Sequence, residues 1–367
     1  MLQTALFSDL VDSSPPTDTV RVAIGAGGAS AAIGEQKDIR YFSAAARSVL
    51  NGPETTGMGY WSVNPYVGCA FGCAYCYARY AHRYVTERRG EASVAAEGMP
   101  SWLAFERRIF VKRNAPDLLR AALRRRRGGR PHPMIARREA VVVGTATDPY
   151  QPAERRFRVT RGLLEALAEH DGLRVVIITK SPLVTRDADV LARLATRSSV
   201  SVHVSLITLD RELARRIEPR APTPESRLRA IARLREAGID VSVNVMPVLP
   251  GITDRPSDLE ALVRAIAEAG ATHAGACALR LQSEARKRYL PFIEAEFPHL
   301  AARYRTSYAR GYQVGERYRA GLRRVFGELC ARYGVGVWGR DNEDDDDDES
   351  DEGGDAEPVG GQLVLEL

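Results

Sequence analysis

Cys69, Cys73 and Cys76 lie within eight residues, in the stretch Asn64-Pro-Tyr-Val-Gly-Cys-Ala-Phe-Gly-Cys-Ala-Tyr-Cys-Tyr-Ala-Arg79. The spacing is C-x3-C-x2-C, and the next cysteine is Cys277, so the local group supplies three thiolates rather than four. Three thiolates leave one iron of a four-iron cubane open to a ligand that is not protein, which points to chemistry at the cluster rather than electron storage. A structural zinc site is the other reading of the same residues, with His82 or Cys277 as fourth ligand. Zinc loops usually come as paired C-x2-C units, a pattern this loop lacks. With three of its five cysteines in one loop, the chain reads as metal-binding rather than disulfide-bonded.

A loop that presents thiolates needs a rigid scaffold beneath it. Apolar runs at residues 140–146, 173–179, 200–207, 239–246 and 271–279 read as strands, and the segments 158–169, 183–196, 227–237 and 258–269 between them as helices. With the short run 60–63 ahead of the cysteines, six βα-type units result. Continuous apolar strands separated by helices predict an α/β fold with a parallel sheet covered by helices. Six units predict a partial (β/α)6 TIM-type barrel, with a doubly wound sheet as the alternative. In both, function gathers at the carboxyl ends of the strands. Past the six strands come, in order, the cysteine loop; Thr145-Ala-Thr-Asp-Pro-Tyr-Gln-Pro-Ala-Glu154; Thr179-Lys-Ser181; Ser205, Thr208 and Asp210; Pro247-Val-Leu-Pro-Gly-Ile-Thr-Asp254; and Arg280 with Gln282.

Around this core the pattern predicts a helix at 74–85, a loop at 90–100, an extended run at 109–112 and a helix at 114–127 that ends in the basic tract 124–130. Residues 1–50 read as a partly disordered N-terminal extension, 51–285 as the barrel, and 286–340 as aromatic-rich C-terminal helices. Residues 341–367 read as a disordered acidic tail. That tail holds 13 acidic residues and no basic one; the remaining 34 acidic residues face all 52 Lys and Arg, a surplus of 18. A basic body suits an anionic partner, nucleic acid included, and equally suits solvated arginines on helix faces. No stretch approaches a membrane span, and the N-terminus lacks the basic start of a secretion signal, so a cytoplasmic location is expected.

The string Asn64-Pro-Tyr-x-Gly-Cys with Cys-x-Tyr-Cys-Tyr-Ala-Arg, followed by the Thr147–Glu154 block, Thr179-Lys-Ser181 and Pro247–Asp254, resembles the radical S-adenosylmethionine (SAM) superfamily. Within it, the resemblance is to the subgroup related to spore photoproduct lyase, also called DNA-repair-photolyase-like. It covers roughly residues 55–285. The resemblance implies a [4Fe–4S] cluster on Cys69, Cys73 and Cys76 whose fourth iron binds the amino and carboxylate groups of SAM. It also implies reductive cleavage of SAM to a 5′-deoxyadenosyl radical, which abstracts hydrogen from substrate. Lys180 and Ser205 would face the methionine end of SAM, with Thr147 and Asp148 nearby. Gly251 would approach the adenine, and Tyr75 or Tyr77 would pack against the cofactor. An external one-electron donor of flavodoxin or ferredoxin type is implied as partner. Photoproduct lyases place a hydrogen-donating cysteine in the loop after the second strand; this chain has Thr145-Ala-Thr-Asp148 there. The resemblance therefore implies a radical SAM enzyme with another substrate, nucleic acid among the candidates. A non-catalytic metal-cluster or zinc protein that binds nucleic acid through its basic body is the alternative.

Overall fold

Runs of β-branched residues form the core strands, as their stiff side chains favour. In the computed structural model, which describes residues 20–21, 31–44, 46–56, 59–80, 99–124 and 129–338, six strands lie side by side in sequence order. They are β1 (Trp61–Val63), β2 (Ala140–Val143), β3 (Arg174–Thr179), β4 (Ser199–Ser205), β5 (Asp240–Val248) and β6 (His273–Ala278). Every neighbouring pair is parallel, with Val63 opposite Val143, Val204 opposite Thr179, Ser205 opposite Asn244, and Asn244 opposite Gly275. The architecture is the α/β, mostly parallel, partial TIM-type barrel that the alternation predicts. Leu50–Asn51 adds an antiparallel edge to β1, and Gly336–Val337 a parallel edge to β6.

Alternate side chains divide the two faces of the sheet. Val175 and Ile177 on β3, and Val200, Val202 and Val204 on β4, are buried, whereas Val176, Ile178, Ser201 and His203 are half-buried. Helices Val159–Leu167, Ala188–Ala195, Pro224–Glu236 and Pro256–Glu268 cover the sheet. Their apolar residues recur at helical spacing, as in Leu259, Leu262, Val263 and Ile266. The predicted helix at 183–196 begins as a 3-10 turn, Pro182–Asp187, capped by the Ser181 hydroxyl, which accepts the Leu183 N–H at 3.3 Å.

Two parts of the architecture lie outside the βα alternation. Ala31–Gln36 and Ile39–Ala44 pair as antiparallel strands; Ile39–Ala44 runs parallel to Arg108–Lys112, which pairs with Tyr66–Val67. This second sheet anchors the chain just before the cysteine loop. The C-terminal region forms three helices, Ser283–Glu296, Pro298–Ser307 and Glu316–Arg332. The tyrosine hydroxyls of these helices tie down the rim. Tyr304 donates to the Pro250 carbonyl at 2.8 Å, Tyr308 to the Leu279 carbonyl at 2.9 Å, and Tyr318 to Asp254 at 2.8 Å. Ser283–Glu296 also packs on helix Ser101–Arg107 and on the 3-10 turn Tyr77–Arg79 that follows the cysteines. Of the predicted helix at 74–85, residues 74–80 are described: Ala74–Cys76 are turn and loop, and only the 3-10 turn Tyr77–Arg79 and Tyr80 are helical. Most of the loop at 90–100, His82, residues 125–128 of the basic tract and the tail 341–367 lie outside the described residues, as does most of the segment 1–30. Among the described residues no helix is long and apolar enough to cross a membrane.

Candidate active site

The cysteine loop leaves the carboxyl end of β1 and is clamped by the loop after β2. Asn64 spans the two strand ends: its Nδ2 donates to Thr145 Oγ1 at 3.0 Å and its Oδ1 accepts the Ala146 N–H at 2.8 Å. Thr147 donates to the Gly68 carbonyl at 2.6 Å. Gln151 donates to the same carbonyl at 3.1 Å and accepts the Ala70 N–H at 2.9 Å. Glu154, fully buried, accepts the Tyr66 hydroxyl and the Thr160 N–H, and pairs with Arg186 at 2.9 Å rather than with its neighbours Arg155 or Arg156. The Thr147–Glu154 block thus holds the loop that carries the thiols. Gly68, at φ +89°, sits where a Cβ would meet the Phe105 carbonyl at 2.7 Å, so the loop passes close to helix Ser101–Arg107 only as glycine.

Cys69 and Cys73 are buried and Cys76 is half-buried. Burial pushes the Cys69 thiol up to about 12, with Asp148 and Cys76 adding to the rise. Burial, then Glu218, raises Cys73 well above the usual thiol range. Cys76 is raised by burial, with Arg79 opposing. Among the described residues no three His, Cys, Asp or Glu side chains converge on a single ion.

Beside the thiols lies a buried charge network. Glu218, 2% exposed, accepts the Tyr75 hydroxyl, pairs with Arg227 and lies 3.8 Å from Lys180 Nζ. The Lys180 ammonium stands 5.7 Å over the Tyr75 ring. Burial opposes the Lys180 charge, but Glu218 and Cys73 raise its pKa. Burial likewise opposes the Glu218 charge, yet Arg227 and Lys180 hold it below the usual carboxylate range. Arg227 also donates to the Ser205 carbonyl at 3.0 Å, which ties the end of β4 to the network. Asp148 accepts the Thr179 hydroxyl at 2.7 Å, the Lys180 N–H at 2.7 Å and the Tyr150 N–H at 2.9 Å, so it fixes the end of β3 and aims Lys180.

Cys69, Cys73, Cys76, Tyr75, Thr147, Asp148 and Lys180 therefore meet through these contacts at one rim, and Ser205 joins them through Arg227. Gly251 lies in the exposed turn after β5 at φ +74°, its N–H donating to Asp254 at 2.9 Å. Cys277 is half-buried on β6 and Cys330 fully buried. Glu218 and Arg227 were not singled out from the sequence. They sit in an arginine-rich stretch whose one local signal is the run of turn prolines Pro219, Pro222 and Pro224.

Residues 63–266 match the family described as the Radical SAM superfamily. The chain belongs to the radical SAM superfamily. An uncharacterized protein of Mycobacterium tuberculosis is 37% identical over 297 residues, covering 80% of this chain and 81% of that protein. An uncharacterized protein of Methanocaldococcus jannaschii is 28% identical over 209 residues, covering 57% of this chain and 68% of the other. A mutant of spore photoproduct lyase superposes with a TM-score of 0.56 at 15% identity, covering 81% of each chain. Another lyase mutant, with bound AdoMet and dinucleoside spore photoproduct, has a TM-score of 0.52 and covers 76% of this chain and 75% of the other. At this identity the likeness is one of fold. A radical SAM protein draws on SAM and an iron–sulfur group, and a radical-generating role follows for this chain.

Proposed function

We propose that this radical SAM protein holds a [4Fe–4S] cluster on Cys69, Cys73 and Cys76, leaves its fourth iron for SAM, and directs the resulting radical at a C–H bond of a separate substrate. One observation carries the reading: three thiols on a single clamped loop stand beside a buried cationic network, Lys180 and Arg227 against Glu218, at the carboxyl rim of a parallel barrel. The donor set suits the group. A cubane gives each thiolate its own iron, so its ligands stand apart instead of converging as zinc ligands do.

When bound, the reduced cluster supplies the electron that splits a sulfonium carbon–sulfur bond of SAM, giving methionine and a 5′-deoxyadenosyl radical. The remaining tasks fall to the chain. Lys180 offers a positive charge to the SAM carboxylate, a charge-assisted contact in a site largely shielded from water. Asp148 keeps Lys180 aimed by holding its main chain. Tyr75 and Glu218 wall that end of the site, and the turn at Gly251 lets main chain approach the adenine. The electron comes from a flavodoxin- or ferredoxin-type donor.

The substrate differs from a thymine photoproduct lesion on this reading, because the loop after β2 offers Thr145, Thr147 and Asp148 and no thiol. The basic surplus of residues 1–340 supports an anionic substrate, nucleic acid foremost. Anaerobic reconstitution followed by dithionite and SAM tests the assignment. Release of 5′-deoxyadenosine is expected and is lost in Cys69→Ala, Cys73→Ala and Cys76→Ala, whereas Cys277→Ala leaves the iron content unchanged. Four bound irons without 5′-deoxyadenosine, or loss of iron in Cys277→Ala, refutes the assignment.

A further inference from the structure

Against the cysteine loop, Glu106 is surrounded by arginines. Its carboxylate lies 2.7 Å from Arg220, 3.5 Å from Arg79 and 3.9 Å from Arg288. Glu106 and Arg79 are buried, at 4% and 0% exposure, and the other two guanidiniums are largely covered. Asp38 also approaches Arg220, at 4.0 Å, but is half-exposed and shared with Arg107. Among the described residues, three buried or half-buried cations therefore face one buried carboxylate. The Nε atoms of Arg79 and Arg288 are buried without a hydrogen-bond partner among the described residues. Aromatic rings hold the guanidiniums in place without neutralising them: Arg79 lies 5.7 Å over Phe105, and Arg288 lies 5.9 Å over Trp102 and 5.8 Å over Phe292.

This brace grips the cysteine loop by its carbonyls. Arg79 donates to the Cys73 carbonyl at 2.8 Å and Arg220 to the Ala70 carbonyl at 2.6 Å, while the Arg220 main-chain N–H takes the Phe71 carbonyl at 3.2 Å. In a planar trans peptide the N–H points opposite to the C=O. The Arg220 contact with the Ala70 carbonyl therefore fixes the orientation of the Phe71 N–H as well. Gly72 leaves the space this needs. At φ +67°, a Cβ there would collide with the Glu106 carboxylate and stand 2.6 Å from Arg220.

We infer that the Arg79–Arg220–Arg288 brace on Glu106 is a positioning and tuning device for the cluster proposed on Cys69, Cys73 and Cys76, raising its reduction potential by surplus positive charge. The inference rests on that three-cysteine reading. A cubane on three thiolates is anionic, and reduction adds negative charge, so nearby uncompensated cations favour the reduced state. Net charge and hydrogen bonds around the sulfurs are the protein's levers on such potentials.

The test is an anaerobic redox titration of the reconstituted full chain without SAM, followed by EPR, with iron counted in every sample. Arg220→Gln removes a cation and is expected to shift the midpoint potential to more negative values. Glu106→Gln removes the anion and is expected to shift it to more positive values. Arg220→Lys restores most of the charge and is expected to recover most of the Arg220→Gln shift. Opposite signs separate electrostatic tuning from simple loosening of the loop, which would move both glutamine variants alike. Unchanged potentials, shifts in one direction, or loss of iron from both glutamine variants overturns the inference. If one glutamine variant loses iron, the sign of the other decides. Wild-type protein that binds four irons but gives no cubane EPR signal on reduction, or that binds fewer than four, refutes the cluster reading itself and the tuning role with it.

Discussion

Replacing Glu218 by glutamine keeps the shape of the side chain and deletes its charge. In the folded chain the side chains of Glu218 and Arg227 are 1% and 2% exposed, and that of Lys180 is 15% exposed. Removing one partner of a buried ion pair leaves the other charged and desolvated, at a cost of about 3–5 kcal/mol. Lys180 can escape part of this by releasing a proton; Arg227 cannot, since a guanidinium stays protonated. The cost of Glu218→Gln therefore falls mainly on Arg227, and for a chain of this size it lowers Tm by roughly 5 °C. Circular dichroism of the metal-free chain during urea and thermal unfolding reads it without any need for the cluster. The double variant with Arg227→Met should lose less than the sum of the two single losses, because the orphaned charge is gone.

The pH dependence has a definite sign. Arg227 and Lys180 hold the folded-state pKa of Glu218 below its ordinary 4.5, although burial alone would raise it. The stabilisation from its charged form is then present above pH 4.5 and is lost as pH falls through the lower, folded value. The gap between wild type and Glu218→Gln should be full at neutral pH and shrink in acid. A loss under about 1 kcal/mol, or strict additivity with Arg227→Met, would falsify the account of this network.

Lys180→Ala should weaken SAM binding, measured by calorimetry on reconstituted protein, with iron content unchanged, since only the partner of the carboxylate is removed. His203 is lowered from 6.5 to about 4, chiefly by burial. Its neutral form contributes stability that is full above pH 6.5 and lost as pH falls toward 4, on the order of 3 kcal/mol. His203→Asn should flatten the stability curve across that window, and an unchanged slope between pH 4 and 6.5 counts against it. Gly144 adopts φ +100°, and a Cβ there would meet Pro149 Cδ at 2.5 Å and the Ile178 carbonyl at 2.7 Å. Gly144→Ala should cost about 2–4 kcal/mol in urea denaturation, from left-handed strain and overpacking at the end of β2.

Much of this protein is readable from local pattern. The C-x3-C-x2-C spacing marks the thiol loop, and the alternation of apolar runs with helical periods marks six parallel strands. Both are properties of short segments: backbone preference and side-chain period need no distant partner to show. The boundaries mostly hold to within a few residues, as at Arg174–Thr179 and Asp240–Val248.

The contacts that make the site depend on chain folding over long distances. Tyr75 finds Glu218 across 143 residues, and Gln151 clamps Ala70 across 81. Arg220 reaches Glu106 across 114. Apart from the turn prolines, nothing in residues 211–227 distinguishes Glu218 and Arg227 from the solvated charges around them. Their burial follows from the register that sets β4 beside β3 and β5, and from the loop after β4 closing over the cysteines. The pairing of the second sheet is hidden for a like reason, although 109–112 reads as extended on its own. Ile39–Ala44 and Arg108–Lys112 are short strands that acquire meaning only when paired with each other. A short run of residues can announce its own backbone shape and the thiols it carries. It cannot announce which remote charge will stand beside it in the dark of the core, because that depends on how all the intervening strands align.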